Sequence, residues 1–228
     1  MKKLMINNKI KILTLIIISI ILNCLPIYAE KITLLKLYRN KMTLIAYGEN
    51  NEVIKTFAVS CNKKRTPLGT RSTTEKIRWH KLYGDNNYGQ YCIRYGTYRD
   101  GENLLLHSVL FSEKYNPLSL RKFYNKDGSI NHNTYNGIID KKESGGCIRL
   151  RVCDAKWLYD NLHYKTTFII EDTDEDIPRP KYERIPDDSL CDPTDIELAN
   201  LLINGCDLET IRLYEQGLWP PSTPSQVK

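Results

Sequence analysis

From residue 32 onward the hydrophobic positions come in short runs separated by polar turns, the pattern of consecutive hairpins. Ile32–Tyr38 is β-rich, Arg39-Asn40-Lys41 turns the chain, Met42–Tyr47 returns, and Gly48–Asn51 turns it again into Val53–Val59. Thr66-Pro67-Leu68-Gly69-Thr70 reads as a tight loop, with Pro presetting φ and Gly able to take a positive one. A stretch rich in Gly, Tyr and Asn, 83–101, reads as short strands and loops. Leu104–Phe111 is an apolar run interrupted only by His107 and Ser108, as in a buried strand. Residues 112–143 are polar and lack a period, so they read as a long loop or insertion with a short helix around Leu118–Tyr124. Ser144–Leu150 is a glycine turn entering a short strand. Asp154 reads as the cap of a helix over Ala155–Leu162, and Thr166–Glu171 as a closing strand.

Composition then shifts. Asp172–Asp195 holds four Pro and many acids and reads as a surface linker. Helices follow near Asp195–Ile203 and from an N-cap at Asp207 to Gln216, with Gly217 just past the end. The expectation is a mainly β domain over 30–172 with one central helix, then a linker and short helical tail over 173–228. No internal repeat is found.

The N-terminus is a separate object. Lys2, Lys3, Lys9 and Lys11 precede an apolar run from Ile12 to Leu22, and Pro26 and Ala29 follow. That is an export signal, residues 1–29, with a cut after Ala29. The run is short for a membrane span, which needs roughly 20 apolar residues; membrane contact is expected only if the segment is retained. Asn23 before Cys24 is the wrong residue for a lipid-attachment motif. Of the net charge of +6, four units lie in residues 1–29, which carry no acid, leaving +2 on the remainder. That argues against a nucleic-acid partner, which wants a clustered basic face. Past Cys24 stand Cys61, Cys92, Cys147, Cys153, Cys191 and Cys206, with no CxxC pair and no zinc spacing. Export permits disulfides, and Cys191 and Cys206 are candidates to tie the linker to the tail.

Candidate chemistry centres on Ser144-Gly145-Gly146-Cys147. A cysteine nucleophile needs a base, donors for the developing oxyanion, and access to an acyl group. Two glycines permit a sharp turn that presents the thiol and leaves the amides of Gly145, Gly146 and Cys147 free to converge. His107 is the candidate base. The rival is His132, 15 positions before Cys147 but in the polar Ile130-Asn131-His132-Asn133 loop; His80 and His163 read as surface residues. Trp79, Tyr83, Tyr88 and Tyr91 are candidates to line a groove or to pack. The residues alone reach an exported Cys–His acyl-transfer site.

Those residues also resemble the L,D-transpeptidases with a YkuD-type catalytic domain. The family's [S/T]-[H/G]-G-C-[I/V]-R-[L/M] loop stands here as Ser144–Leu150, preceded by a strand with Leu106-His107-Ser108. The hairpins of 32–60, the Thr66–Thr70 loop, the Asp154-Ala155-Lys156-Trp157 helix and the Thr166–Ile170 strand fall in the family's order, and Asp192-Pro193-Thr194-Asp195 resembles a segment that follows the domain. The resemblance covers about 32–172 and implies an L,D-transpeptidase-like β-sandwich or barrel. It also implies that Cys147 attacks the L,D-amide of a peptidoglycan stem peptide and releases a D-amino acid. His107 would serve as base then acid, and Ser108 would orient it through its carbonyl. Gly145, Gly146 and Cys147 would form the oxyanion hole, Ser144 would lie at the substrate, and Arg149 would either pair a substrate carboxylate or brace the Cys loop. An amine of a second stem would then take the acyl group. The implied enzyme is a monomer working outside the cytoplasm, without metal or organic cofactor. A hydrolase using the same site and a non-catalytic wall-binding protein are the alternatives. Two departures stand out. Gly145 replaces the His of many relatives, and His107 lies 40 positions before Cys147, wider than usual, so 112–143 would be an insertion over the site.

Overall fold

The structure is a computed structural model that describes residues 31–98 and 100–218. The export signal and Cys24 lie outside the described residues. The elements run β1 (Leu34–Tyr38), β2 (Thr43–Tyr47), β3 (Val53–Ala58), β4 (Gly69–Ser72), β5 (Lys76–Lys81), β6 (Tyr88–Thr97), β7 (Asn103–His107), β8 (Lys122–Tyr124), β9 (Ile130–Asn133), α1 (Thr134–Ile139), β10 (Ile148–Arg149), α2 (Val152–Asn161), β11 (Thr167–Glu171), α3 (Ile196–Ile203) and α4 (Leu208–Glu215).

Two sheets face each other. One is ordered β3-β2-β1-β11-β4, with the closing strand β11 inserted parallel to β1; the other is ordered β10-β7-β6-β5, with β10 parallel to β7. Alternation along each strand turns one row of apolar side chains inward. Leu35, Leu37, Leu44, Phe57, Phe168 and Ile170 come from the first sheet, and Ile93, Tyr95, Leu104, Leu106 and Ile148 from the second. The Tyr95 and Phe168 rings meet edge to face at 5.0 Å across the gap. Helix α2 closes one end of the core with Val152, Ala155 and Leu158. The mainly β sandwich expected from the sequence is what forms.

Several elements differ from the expectation. The strand β5 was hidden in polar sequence, and β6 runs ten residues where short pieces were expected. Within 112–143 there is no helix at 118–124; β8 pairs with β9 as a hairpin, and the helix comes later, at α1, capped by Asn133, whose side chain accepts from the Asn136 amide. Helix α2 begins at Val152, and Asp154 lies inside its first turn rather than capping it. That carboxylate is buried and occupied by Arg151 at 2.8 Å, Lys55 at 3.4 Å and the Tyr182 hydroxyl at 3.0 Å.

The segment 172–195 has no helix or strand, yet it is bound to the domain rather than lying loose on its surface. Arg179 donates to the Ile138 carbonyl at 2.6 Å, Asn136 to the Ile185 carbonyl at 2.7 Å, and the Ala58 amide to Tyr182 Oη at 3.1 Å. Asp192 and Thr194 supply the cap that α2 lacks: the Val152 amide donates to Asp192 Oδ2 at 2.9 Å and the Cys153 amide to Thr194 Oγ1 at 3.2 Å. Asp195 and Asp207 then cap α3 and α4. Cys191 and Cys206 are free thiols, not a bridge. No helix among the described residues is long and apolar enough to cross a membrane.

Candidate active site

The Cys147 loop is shaped by side chains that lie far from it in sequence. Ser144 Oγ accepts from the Gly146 amide at 3.0 Å and donates to the Cys147 carbonyl at 2.5 Å, closing the turn on itself. Thr66 Oγ1 donates to the Gly146 carbonyl at 2.7 Å, and Asn62 Nδ2 to that of Ser144 at 3.1 Å. Gly146 takes φ +133°, and a Cβ there would run into Tyr98 Oη, so the position is closed to other residues. These bonds correct two expectations. The Gly146 amide is engaged and is not free for an oxyanion. The Ser144 donor is spent on the loop and is not available to substrate. The amides of Gly145 and Cys147 keep no partner among the described residues. Nothing lies within 4 Å of a Cβ built on Gly145, so the missing side chain leaves open space.

Strand parity sets the rest. Ile148 pairs with Leu106 and Arg149 with His107, so both core-facing residues of this pair share one side of the sheet. Their neighbours Cys147, Arg149, Leu105 and His107 then share the other side, and all four line one cavity of about 480 Å³. The Cys147 thiol is half-buried, with Sγ 3.7 Å from the Asn103 carbonyl. Burial pushes its pKa above the ordinary thiol value, while the Leu105 backbone N–H, Arg149 and Arg65 pull it back and Glu102 adds to the rise.

His107 is 2% exposed. Its Nδ1 lies 2.5 Å from the Ser108 carbonyl. A carbonyl only accepts, so Nδ1 carries the hydrogen and Nε2 is left as a base. Ser108 Oγ in turn accepts from the Gln90 amide and donates to the Val109 carbonyl, fixing the peptide that holds the ring. Gly89 makes room: a Cβ there would sit 3.0 Å from His107 Nδ1. Burial first, and then Arg149, lower the His107 pKa to about 3. The resting pair is therefore a neutral thiol and a neutral imidazole.

Arg149 is 6% exposed, has no ion-pair partner among the described residues, and leaves Nε unpartnered. Burial lowers its pKa to about 10, so it stays charged. With Arg65 and Lys81 it makes the cavity cationic; Glu102 is the one acid among the lining residues. An unpaired buried charge is costly in a folded protein and is a ready receptor for an anion.

The remaining expectations sort clearly. The insertion does reach the site, through Phe123 of β8, which lines the cavity. His132 lies on strand β9, not in a loop, and stacks on Phe123 at 4.9 Å without lining the cavity. Of the four aromatics, Tyr83 lines the cavity, while Trp79 and Tyr91 are buried and Tyr88 packs against the core. His163 is exposed, but His80 is a half-buried member of the cavity wall rather than a surface residue. His80, Gly89 and Asn62 carried no local signal; strand pairing brings the first two to the site, and Asn62 and Thr66 reach the loop by side-chain hydrogen bonds. No group of three or more His, Cys, Asp or Glu side chains among the described residues is placed to hold a metal.

A model of the L,D-transpeptidase catalytic domain (YkuD) matches residues 34–170, from β1 to the end of the sandwich. The chain belongs to this family. Among solved structures, an L,D-transpeptidase from Mycobacterium smegmatis is 19% identical, covering 62% of this chain and 59% of its own, with a TM-score of 0.41. One from Stackebrandtia nassauensis is 18% identical over 68% and 60%, at 0.42. L,D-transpeptidase 1 of Mycobacterium tuberculosis is 17% identical over 62% of each chain, at 0.39. The chain thus spans about three fifths of the length of these relatives. No curated protein matches it. The family match takes in the Cys147 loop, His107 and the insertion, and leaves the tail outside.

Proposed function

We propose that this protein is a peptidoglycan L,D-transpeptidase in which Cys147 is the acylated nucleophile. The observation that carries this is the common facing of Cys147, just ahead of β10, and His107, on the parallel strand β7, into one cationic cavity. His107 Nε2 takes the thiol proton as sulfur attacks the L,D-amide carbonyl of a stem peptide. The neutral resting pair makes this a transfer concerted with attack, not a preformed thiolate. The developing oxyanion meets the Cys147 and Gly145 amides, the donors the loop leaves unpaired. His107 returns the proton to the departing D-amino acid, and a thioester remains. Arg149 receives a carboxylate of the stem. An amine of a second stem then displaces sulfur and forms the crosslink.

In this reading residues 1–29 direct export, residues 30–172 form the catalytic domain, and the enzyme works on the outer side of the membrane where wall stems lie. The segment 173–218 serves as a brace for the domain rather than a flexible appendage. Incubation of residues 30–228 with a tetrapeptide stem, followed by mass analysis of the products, tests the assignment. Crosslinked dimer with release of the terminal D-amino acid is the expected outcome. Trimmed monomer alone would replace transferase with hydrolase, and unchanged peptide would overturn the reading.

A further inference from the structure

The cavity holds a second imidazole that the thiol chemistry does not use. His80 of β5 pairs in register with Gly89 of β6, the same glycine against which the His107 ring lies. Two histidines thus flank one residue without a side chain, and both line the cavity. His80 Nε2 is 3.4 Å from Asn103 Nδ2, and the carbonyl of that Asn103 is 3.7 Å from the Cys147 thiol. One residue separates His80 from the nucleophile. An amide nitrogen only donates, so Nε2 is the unprotonated nitrogen of His80 in this contact. Burial and the Arg94 charge keep His80 below its ordinary pKa, hence neutral and able to accept a proton. The space at Gly145 faces no side chain, so nothing on the loop itself offers a comparable group.

Transfer to an amine demands a step that acylation does not. The acceptor arrives as an ammonium and must lose a proton before it has a lone pair to attack with. His107 Nδ1 is held by the Ser108 carbonyl, which leaves the ring one nitrogen, and that nitrogen serves the sulfur.

We propose that His80 is the base of the second half-reaction, taking the proton of an acceptor ammonium that Glu102 draws into the cavity. The inference rests on the acyl-transfer reading above. The steps balance. His80 Nε2 gives up the 3.4 Å contact with Asn103 Nδ2 and accepts one proton from R–NH3+, and the free amine attacks the thioester carbonyl. A C–N bond forms and the C–S bond breaks. The second nitrogen proton passes through His107 to the departing thiolate. The products are the amide, the Cys147 thiol and a protonated His80. The substrate class this selects is a primary amine, rather than water, as acyl acceptor.

The test separates the two half-reactions in residues 30–228. Acylation is followed by intact mass with a tetrapeptide stem. Resolution of the thioester is then timed with and without a stem peptide carrying a free side-chain amine. His80→Ala and His80→Gln should acylate within about twofold of the parent, which also shows that they fold. Both should lose amine-dependent resolution by roughly a hundredfold, a typical contribution of a general base, and keep their rate of hydrolysis. Glu102→Gln should raise the acceptor concentration needed for half-maximal transfer and leave the maximal rate. Unchanged aminolysis in His80→Ala, parent-like aminolysis in His80→Gln, or a parallel fall of acylation and aminolysis would each overturn the proposal. A parent that forms no thioester would instead sink the acyl-transfer reading, and this inference with it.

Discussion

Two polar turns flank the short strand that follows the nucleophile, and they treat their hydrogen-bonding groups differently. In the turn Asp192–Asp195, Asp192 Oδ1 takes the Thr194 amide and hydroxyl, Asp192 Oδ2 takes the Val152 amide, Thr194 takes the Cys153 amide, and Asp195 takes the Leu198 amide. In the turn Ser144–Cys147 the Gly146 amide is satisfied, but the Gly145 and Cys147 amides are not, and Arg149 beside them is buried without an acid. Of its buried side-chain atoms, the first turn leaves only Asp195 Oδ2 without a partner among the described residues. The second is complete only with something that brings a carbonyl oxygen and a negative charge. Buried polar groups are paired in nearly all folded structure, so free amides beside a buried, unpaired guanidinium in one cavity suit a partner from outside.

The sharpest way to break this contrast is to leave the Cys147 loop intact and remove its base. His107→Ala should slow acylation by a stem peptide by about 10² to 10⁴-fold, the range for a general base, measured by single-turnover adduct formation. Next in size is the pH dependence of the free thiol. Because burial raises the Cys147 pKa and His107 is neutral, the thiolate is scarce at pH 7 and grows about tenfold per pH unit until the raised pKa is passed. Alkylation mapped to Cys147 by peptide mass should therefore rise about a hundredfold from pH 7 to pH 9. A plateau already reached at pH 5–6 would mean a preformed thiolate–imidazolium pair.

Arg149→Met separates the two uses of a buried charge. It should weaken kcat/KM for a stem with a free carboxylate by about tenfold or more, the loss of a charge-assisted bond. At the same time it should raise folding stability by about 1 kcal/mol, because an unpaired charge no longer has to be desolvated, read from urea unfolding. Smallest on activity is the completed turn. Asp192→Ala removes the cap of α2 and should cost about 1–2 kcal/mol, lowering Tm by a few degrees. Acylation should stay within a few-fold. A loss as deep as that of His107→Ala would mean that the tail turn shares in the chemistry and that the contrast is false.

How much of this was legible follows from where each signal lies. The hairpins of 32–60 and the closing strand are local patterns of apolar residues, and they form where they were expected. Cys147 and His107 stood out because a glycine turn and a lone histidine in an apolar run are also local. Strand β5 does alternate, with Ile77 and Trp79 between charged residues, but charge outweighs the apolar signal in so short an edge strand. The helix α2 starts two residues before Asp154 because its cap comes from Asp192, 40 residues downstream. Gly89 and His80 belong to the site through strand pairing, and Thr66 through a hydroxyl bond to Gly146, 80 residues away. The engaged Gly146 amide is the same lesson inside the motif: four residues name the loop, but the Ser144 rotamer decides which amide is free.

The most direct test of the account is intact-mass analysis of residues 30–228 after incubation with a tetrapeptide stem, beside Cys147→Ala. The account predicts an acyl adduct equal to the stem less its terminal D-amino acid on the parent, and none on the variant. An adduct that persists in Cys147→Ala, or a parent that stays unmodified with Cys147 reduced, would contradict it.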